Sequence, residues 1–304
     1  MVWGGAYYGG DASSVQSQLV GVKSITTNPN GFAALKYDGT AVSWGHERNV
    51  FGEKFSYSTT DVKAIYSNDG AFAAIKNDGS VVTWGDKSTG GTTYSNSHSL
   101  TDVKEIFSTN LAFAALKNDG SVVTWGDSYW GGSSYSVSAD LTNVETIYST
   151  NAGFAAVKND GNVVTWRLYG GGDSSSVSHQ LFDVVSIFSS WWSFAALKSD
   201  GSVITWGEDD AGDSSSISDS LIAITTIAST SNAFAALKQD GSVISWGDPQ
   251  QSDTSLVKDE LVNVTSIYSG AFAFAAIRKD GSVWTWGRDI YGGDSSSVAE
   301  QLNR

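Results

Sequence analysis

The chain has 304 residues, 40% of them hydrophobic, with 33 Gly, 12 Trp, 2 Pro and no Cys, and its 18 Lys plus Arg against 32 Asp plus Glu give a formal net charge of -14. That is too apolar for a disordered chain, and the negative field opposes phosphate polymers and anionic lipid, so neither nucleic acid nor membrane is expected as a partner. Without cysteine there is neither a disulfide framework nor a thiolate metal site.

The opening residues, Met1-Val2-Trp3-Gly4-Gly5, lack the basic and apolar regions of a secretory signal, and no apolar run reaches membrane-spanning length. A soluble chain of open compartment is expected, or a piece cut from something longer. From Trp3 onward the sequence repeats itself. Tryptophan recurs at Trp3, Trp44, Trp84, Trp125, Trp166, Trp206, Trp246 and Trp286, at spacings of 40 or 41 residues, and Gly follows each one except Trp166, where Arg167 stands.

Each period brings the same elements in the same order. An apolar segment such as Ala64-Ile65-Tyr66-Ser67 predicts a strand a, and Phe72-Ala73-Ala74-Ile75-Lys76 predicts a strand b. Asn77-Asp78-Gly79 predicts a hairpin turn in which Gly takes the positive φ, and Ser80-Val81-Val82-Thr83-Trp84-Gly85 predicts strand c. A more polar strand or loop d follows, as from Ser174 through Val177 to Leu181.

The a-b-c part occurs seven times and the Trp-Gly-to-Leu part eight times, the terminal copies lying at residues 3–19 and 286–302. About four short strands per unit predict an all-β fold, a seven-bladed β-propeller with 40–41 residue repeats. Because an open row of sheets exposes two edges, a single domain over residues 1–304 is expected, its ring closed by the two termini and one terminal partial repeat left surplus.

The pattern from Phe113 to Gly126, Phe-Ala-Ala-Leu-Lys-Asn-Asp-Gly-Ser-Val-Val-Thr-Trp-Gly, resembles the repeat of the regulator-of-chromosome-condensation propellers. It is more similar to their short-repeat bacterial members, which include a β-lactamase inhibitor protein of propeller type. The resemblance spans the whole chain and implies the fold. It leaves function open, because that superfamily includes a nucleotide exchange factor, an enzyme inhibitor, a plant ultraviolet receptor and lectin-like relatives. The basic, DNA-facing character and the long repeats of the chromatin member are absent.

Comparison of the seven internal copies separates scaffold from candidate site. The Phe-Ala-Ala segment, the Asp-Gly turn and the Trp are fixed, and blade packing accounts for each. Two windows vary, one before Phe-Ala-Ala, from Pro29-Asn30 through Trp191-Trp192 to Ala271-Phe272, and one after the recurrent Trp. If strand direction reverses at every hairpin, both windows share one face, opposite the Lys-x-Asp-Gly turns, and loops on a rigid scaffold are where binding residues gather. On that face Tyr8, Tyr129, Trp130, Tyr169, Trp191, Trp192, Phe272 and Tyr291, with Arg48, Arg167 and Arg288, are the residue types that anchor protein interfaces. Any one of these also fits relaxed loop sequence, since scattered surface aromatics are ordinary. The adjacent indoles Trp191 and Trp192, standing where other copies are small and polar, are the strongest exception.

Other motifs stay below a site. The Gly-Gly-Asp-Ser-Ser-Ser runs at Asp173 and Asp294, with near copies at Asp11 and Asp213, read as Asx turns opening d; a calcium loop needs more acidic ligands per turn. His46, His98 and His179 show no metal-ligand spacing, and no Gly-x-Ser-x-Gly elbow appears, so no catalytic residue, metal or cofactor is expected. Asn263-Val264-Thr265 is an isolated glycosylation sequon.

The expected function is therefore a non-enzymatic binding scaffold that takes a protein partner through the variable aromatic face. A carbohydrate-binding, lectin-like propeller is the alternative, although a symmetric lectin should repeat its pocket between blades. A tryptophan-based ultraviolet sensor is a third reading, weakened by the missing Gly-Trp-Arg-His-Thr motif of the plant receptor.

Overall fold

The computed structural model describes residues 11–45, 57–93, 98–167, 170–208 and 213–302. Runs of Val, Ile, Thr and aromatic residues between Gly, Asp and Ser form strands throughout. Seven antiparallel sheets, each made of consecutive strands a, b and c, occupy residues 22–45, 62–85, 103–126, 144–166, 184–207, 224–247 and 264–287. This is the β-propeller class, in seven blade-like sheets. A fourth strand, Ser58–Thr59, pairs with the first sheet. In the other sheets the described d segments are 3-10 turns such as Ser178–Gln180 and Ser215–Ser220, because serine hydroxyls offer the backbone local bonds that compete with a ladder. They still border strand c, where Val163 N–H donates to Leu181 O at 3.2 Å. Among the described residues, α-helix is confined to Pro249–Ser252 and Ala299–Leu302, and no helix is long and apolar enough to cross a membrane.

The chain divides into two compact units, residues 1–152 and 153–304. In the first, strand Ala71–Lys76 shows how the fixed Phe-Ala-Ala segment works. Side chains alternate between faces. Phe72 and Ala74 join Ala33, Leu35 and Trp84 in the layer shared with the first sheet, while Ala71, Ala73 and Ile75 join Val103, Ile106, Phe113 and Trp125 in the layer shared with the third. Strand b is thus buried on both faces, which is why it reads as a continuous apolar run rather than an alternating one. The second unit repeats this: Ala195 and Leu197 pack with Phe234 and Trp246, and Ala235 and Leu237 with Phe274 and Trp286.

The recurrent Trp stands directly across the ladder from the recurrent Phe. Phe113 pairs with Trp125 at 5.2 Å between ring centroids, and the equivalent pair stacks in all seven sheets, from Phe32–Trp44 to Phe274–Trp286. Such a pair adds about 0.5–1.5 kcal/mol beyond burial.

The Asp-Gly turn is longer than a two-residue hairpin. Lys76 N–H donates to Ser80 O at 2.8 Å, and Gly79 alone takes a left-handed φ of 80°, so three residues form the loop, with Gly closing it. Asp78 Oδ1 accepts from Ser80 Oγ–H and N–H at 2.6 and 2.9 Å, and those bonds hold its carboxyl below the ordinary range. Gly79 O then accepts from Val103 N–H of the next sheet at 2.9 Å. The Asp-Gly end therefore stitches neighbouring sheets together.

Candidate functional site

At the other end of each sheet the two variable windows meet. The first residue of the c–d loop donates its N–H to a carbonyl of the a–b loop: Asp127 to Leu111 and Glu208 to Trp192 at 2.9 and 3.1 Å, Asp248 to Asn232 and Arg288 to Phe272 at 2.8 and 3.0 Å. Neighbouring a–b loops are also bonded. In the first unit Asp69 N–H donates to Asn110 O and Asn110 N–H to Asn151 O; in the second Trp191 N–H donates to Ser231 O and Ser231 N–H to Ala271 O, all within 2.8 to 3.0 Å.

The second unit gathers four of the expected residues. Trp191, 45% exposed, meets Phe272 edge to face with centroids 5.8 Å apart, and Phe272 meets Tyr291 at 4.6 Å. The Arg288 guanidinium stands over the Phe272 ring, 5.2 Å from its centroid, and Arg288 Nη2 donates to Asp248 Oδ2 at 3.2 Å. That oxygen also accepts from Gln251 Nε2 at 2.8 Å, and Gln251, fully buried, accepts from Ser231 Oγ–H and Asn232 N–H through Oε1. Burial alone would raise the Asp248 carboxyl, but the Gln250 amide, Gln251 and Arg288 outweigh it and hold it below the ordinary range. An exposed aromatic cluster is thereby tied, through an ion pair, to a buried amide and the backbone of the neighbouring loop. The arrangement can present flat apolar and cationic surface in a fixed geometry. It offers no nucleophile–base pair.

The remaining expected residues are distributed differently. Trp192 is half-buried, with its carbonyl bonded to Glu208 N–H. Tyr129 and Trp130 lie in the first unit, Tyr129 74% exposed and Trp130 half-buried, its carbonyl accepting from Thr109 Oγ1–H at 2.7 Å. Arg167 is half-buried with φ +97°, in a position that Gly fills in the other six sheets. Tyr8, Arg48 and Tyr169 lie outside the described residues.

Sequence reading overlooked two contributors. A serine closes strand a in six of the seven sheets, and it joins neighbouring sheets: Ser108 Oγ–H donates to Ser67 O, Ser149 Oγ–H to Ser108 O and Ser229 Oγ–H to Ser189 O, at 2.8 to 2.9 Å. That recurrence was visible. Asp248 recurs as Asp86 and Asp127, each accepting from the N–H two residues on, whereas Gln251 occurs in one copy only and gave no signal. The serine-rich d turns are Asx turns as expected, with Asp173 and Asp213 Oδ1 accepting from Ser175 and Ser215 N–H at 2.9 and 2.8 Å.

Seven blade-like sheets, in which the variable a–b and c–d loops meet at one end of the sheet, define the β-propeller class. No family model matches the chain, and no curated protein matches it. Solved structures similar to it include the ectodomain of the Physcomitrella patens receptor kinase CR4, 15% identical with TM-score 0.46, covering 87% of this chain and 72% of that one. Saccharomyces cerevisiae Prp20p is 16% identical with TM-score 0.42, covering 90% and 74% of the two chains. Human WBSCR16 is 13% identical with TM-score 0.46, covering 79% and 81%.

Proposed function

We propose that the chain is a non-enzymatic protein-interaction scaffold of the regulator-of-chromosome-condensation type, and that the Trp191–Phe272–Tyr291 cluster with Arg288 anchors a protein partner. One observation carries this reading. The Arg288 guanidinium, braced by Asp248 and Gln251, lies over the Phe272 ring on which Trp191 and Tyr291 pack, so the centre of the cluster costs little to order when a partner binds. Aromatic and arginine side chains held in this way are the residues that dominate interface energies. The experiment is capture of the partner from the native source, followed by titration of the purified pair. The Trp191→Ala/Phe272→Ala chain should bind at least about 30-fold more weakly, some 2 kcal/mol. Unchanged affinity would move the site elsewhere, with Tyr129 and Trp130 of the first unit next in line.

Part of the same proposal is that residues 1–304 form one domain, with the ring closed by the two termini. The uniform repeat supports it, since seven equal periods leave no composition break at which a linker would stand. Small-angle scattering should give a radius of gyration of about 19 Å, the value for a compact chain of this length. A value above about 23 Å would rule closure out.

A further inference from the structure

We propose that the partner taken by the aromatic cluster is a lysine- and arginine-rich protein segment, which seats a cationic side chain on the exposed rings of Trp191 and Tyr291. The inference rests on the protein-binding reading and adds the chemistry of what binds there.

Charge is the first observation, because in the second unit the two ends of the sheets differ. At the Asp-Gly end each carboxylate has a cation two residues before it, as Lys198 stands before Asp200, Lys238 before Asp240 and Arg278 before Asp280. The serine two residues on does most to hold these carboxyls below the ordinary range, and the cation adds to it. At the variable end the acids lack such companions. Asp173, Asp213, Asp253 and Asp294 open the d turns just beyond the c–d loops. Those turns start beside the end of strand c, where Ser174 Oγ lies 2.9 Å from Thr165 Oγ1 and Ser214 Oγ 2.8 Å from Thr205 Oγ1. Serine N–H and hydroxyl groups hold all four carboxyls below the ordinary range, with no cation contributing. Glu208 and Asp289 add exposed carboxylates within the loops themselves. Against these acids the described loops set Arg167 and Arg288, and Arg288 is already paired with Asp248 at 3.2 Å. Part of the formal net charge of -14 is thus left unbalanced at the end of the sheets that carries the aromatic cluster. It attracts a cationic segment and repels an acidic one.

The rings supply the second observation. Arg288 shows how this surface holds a cation: its guanidinium stands over Phe272, 5.2 Å from the ring centroid, with Asp248 as counter-charge. Phe272 is the middle ring of the three. Trp191 meets it edge to face and Tyr291 at a tilt, and both outer rings retain exposed surface. The negative face of an indole is the aromatic surface that holds a cation best. Asp289, exposed and in no ion pair, stands two residues before Tyr291 and can serve a second cation as Asp248 serves Arg288.

The test is fluorescence anisotropy of the full chain with labelled arginine-rich, lysine-rich, glutamate-rich and serine–glycine peptides of equal length. The two basic peptides should bind with Kd of roughly 1–100 μM, weakening about tenfold between about 50 and about 200 mM salt. Trp191→Leu keeps apolar bulk and deletes the π face, and it should weaken basic-peptide binding about fivefold. Glu208→Gln with Asp289→Asn should weaken it about tenfold and flatten the salt dependence. Asp240→Asn at the Asp-Gly end should change it less than about twofold. Equal binding of the glutamate-rich peptide, no basic-peptide binding up to about 1 mM, indifference to Trp191→Leu, or equal losses from Asp240→Asn and Asp289→Asn would each overturn the proposal. If the captured native partner loses affinity for the Trp191→Ala/Phe272→Ala chain while basic peptides fail to bind, the protein-binding reading stands and this inference alone falls.

Discussion

Phe113→Ala is expected to destabilise the fold by about 3–5 kcal/mol, with the loss read from chemical denaturation. Phe113 is wholly buried, stacked on Trp125 at 5.2 Å, and packed in one layer with Ala73, Ile75 and Ile106 of the neighbouring strands. Truncation removes the ring's transfer energy and leaves a cavity among Ala73, Ala115, Ile75, Ile106 and Trp125 that the packed layer can only partly collapse into. Trp125 loses its stacking partner as well. Val157→Ala in the second unit, which deletes two methyl groups from an equally buried strand b, should cost distinctly less. A loss below about 1 kcal/mol for Phe113→Ala would mean that strand b does not carry the layer between sheets.

What the sequence made legible follows from repetition. Seven copies of Phe-Ala-Ala and Trp are seven reports of one packing environment, so sheet number, strand order and the sharing of one end by both variable windows could be read directly. The reason for the two alanines could not, because burial on both faces hides the period-two alternation that marks a strand. The d segment was ambiguous for a different reason. Serine serves a strand edge, a 3-10 turn and an Asx turn alike, and only contact with the neighbouring sheet decides among them. At the candidate face the aromatics were visible as departures from the repeat, but their support was not. Gln251 matters because the fold sets it beside Asp248, Ser231 and Asn232, and a residue present in one copy has no counterpart to be compared with.

One departure from the repeat makes a quantitative expectation. Six sheets end strand c on Gly with a left-handed φ, and in the sixth sheet a Cβ on Gly247 would lie 2.5 Å from Asn232 O, 2.7 Å from Ala233 Cα and 3.2 Å from Ala233 Cβ. Gly247→Ala should therefore cost about 2–4 kcal/mol, combining overpacking against backbone with the left-handed strain of a side-chain-bearing residue. Yet the fourth sheet carries Arg167 at this position, with φ +97°. The facing position there is Gly153, and the ladder between b and c stops one pair earlier, at Phe154 opposite Trp166, whereas the sixth sheet continues to Ala233 opposite Gly247. The side chain at the end of strand c in the fourth sheet thus coincides with a facing residue that has no Cβ and with a shortened ladder. Ala233→Gly introduced into Gly247→Ala should then recover about 1 kcal/mol, although Ala233→Gly alone destabilises a strand by roughly 0.5–1 kcal/mol. Denaturant midpoints of the two single variants and the double variant measure the coupling directly. Strict additivity would show that Arg167 is tolerated by its own surroundings in the fourth sheet and owes nothing to Gly153.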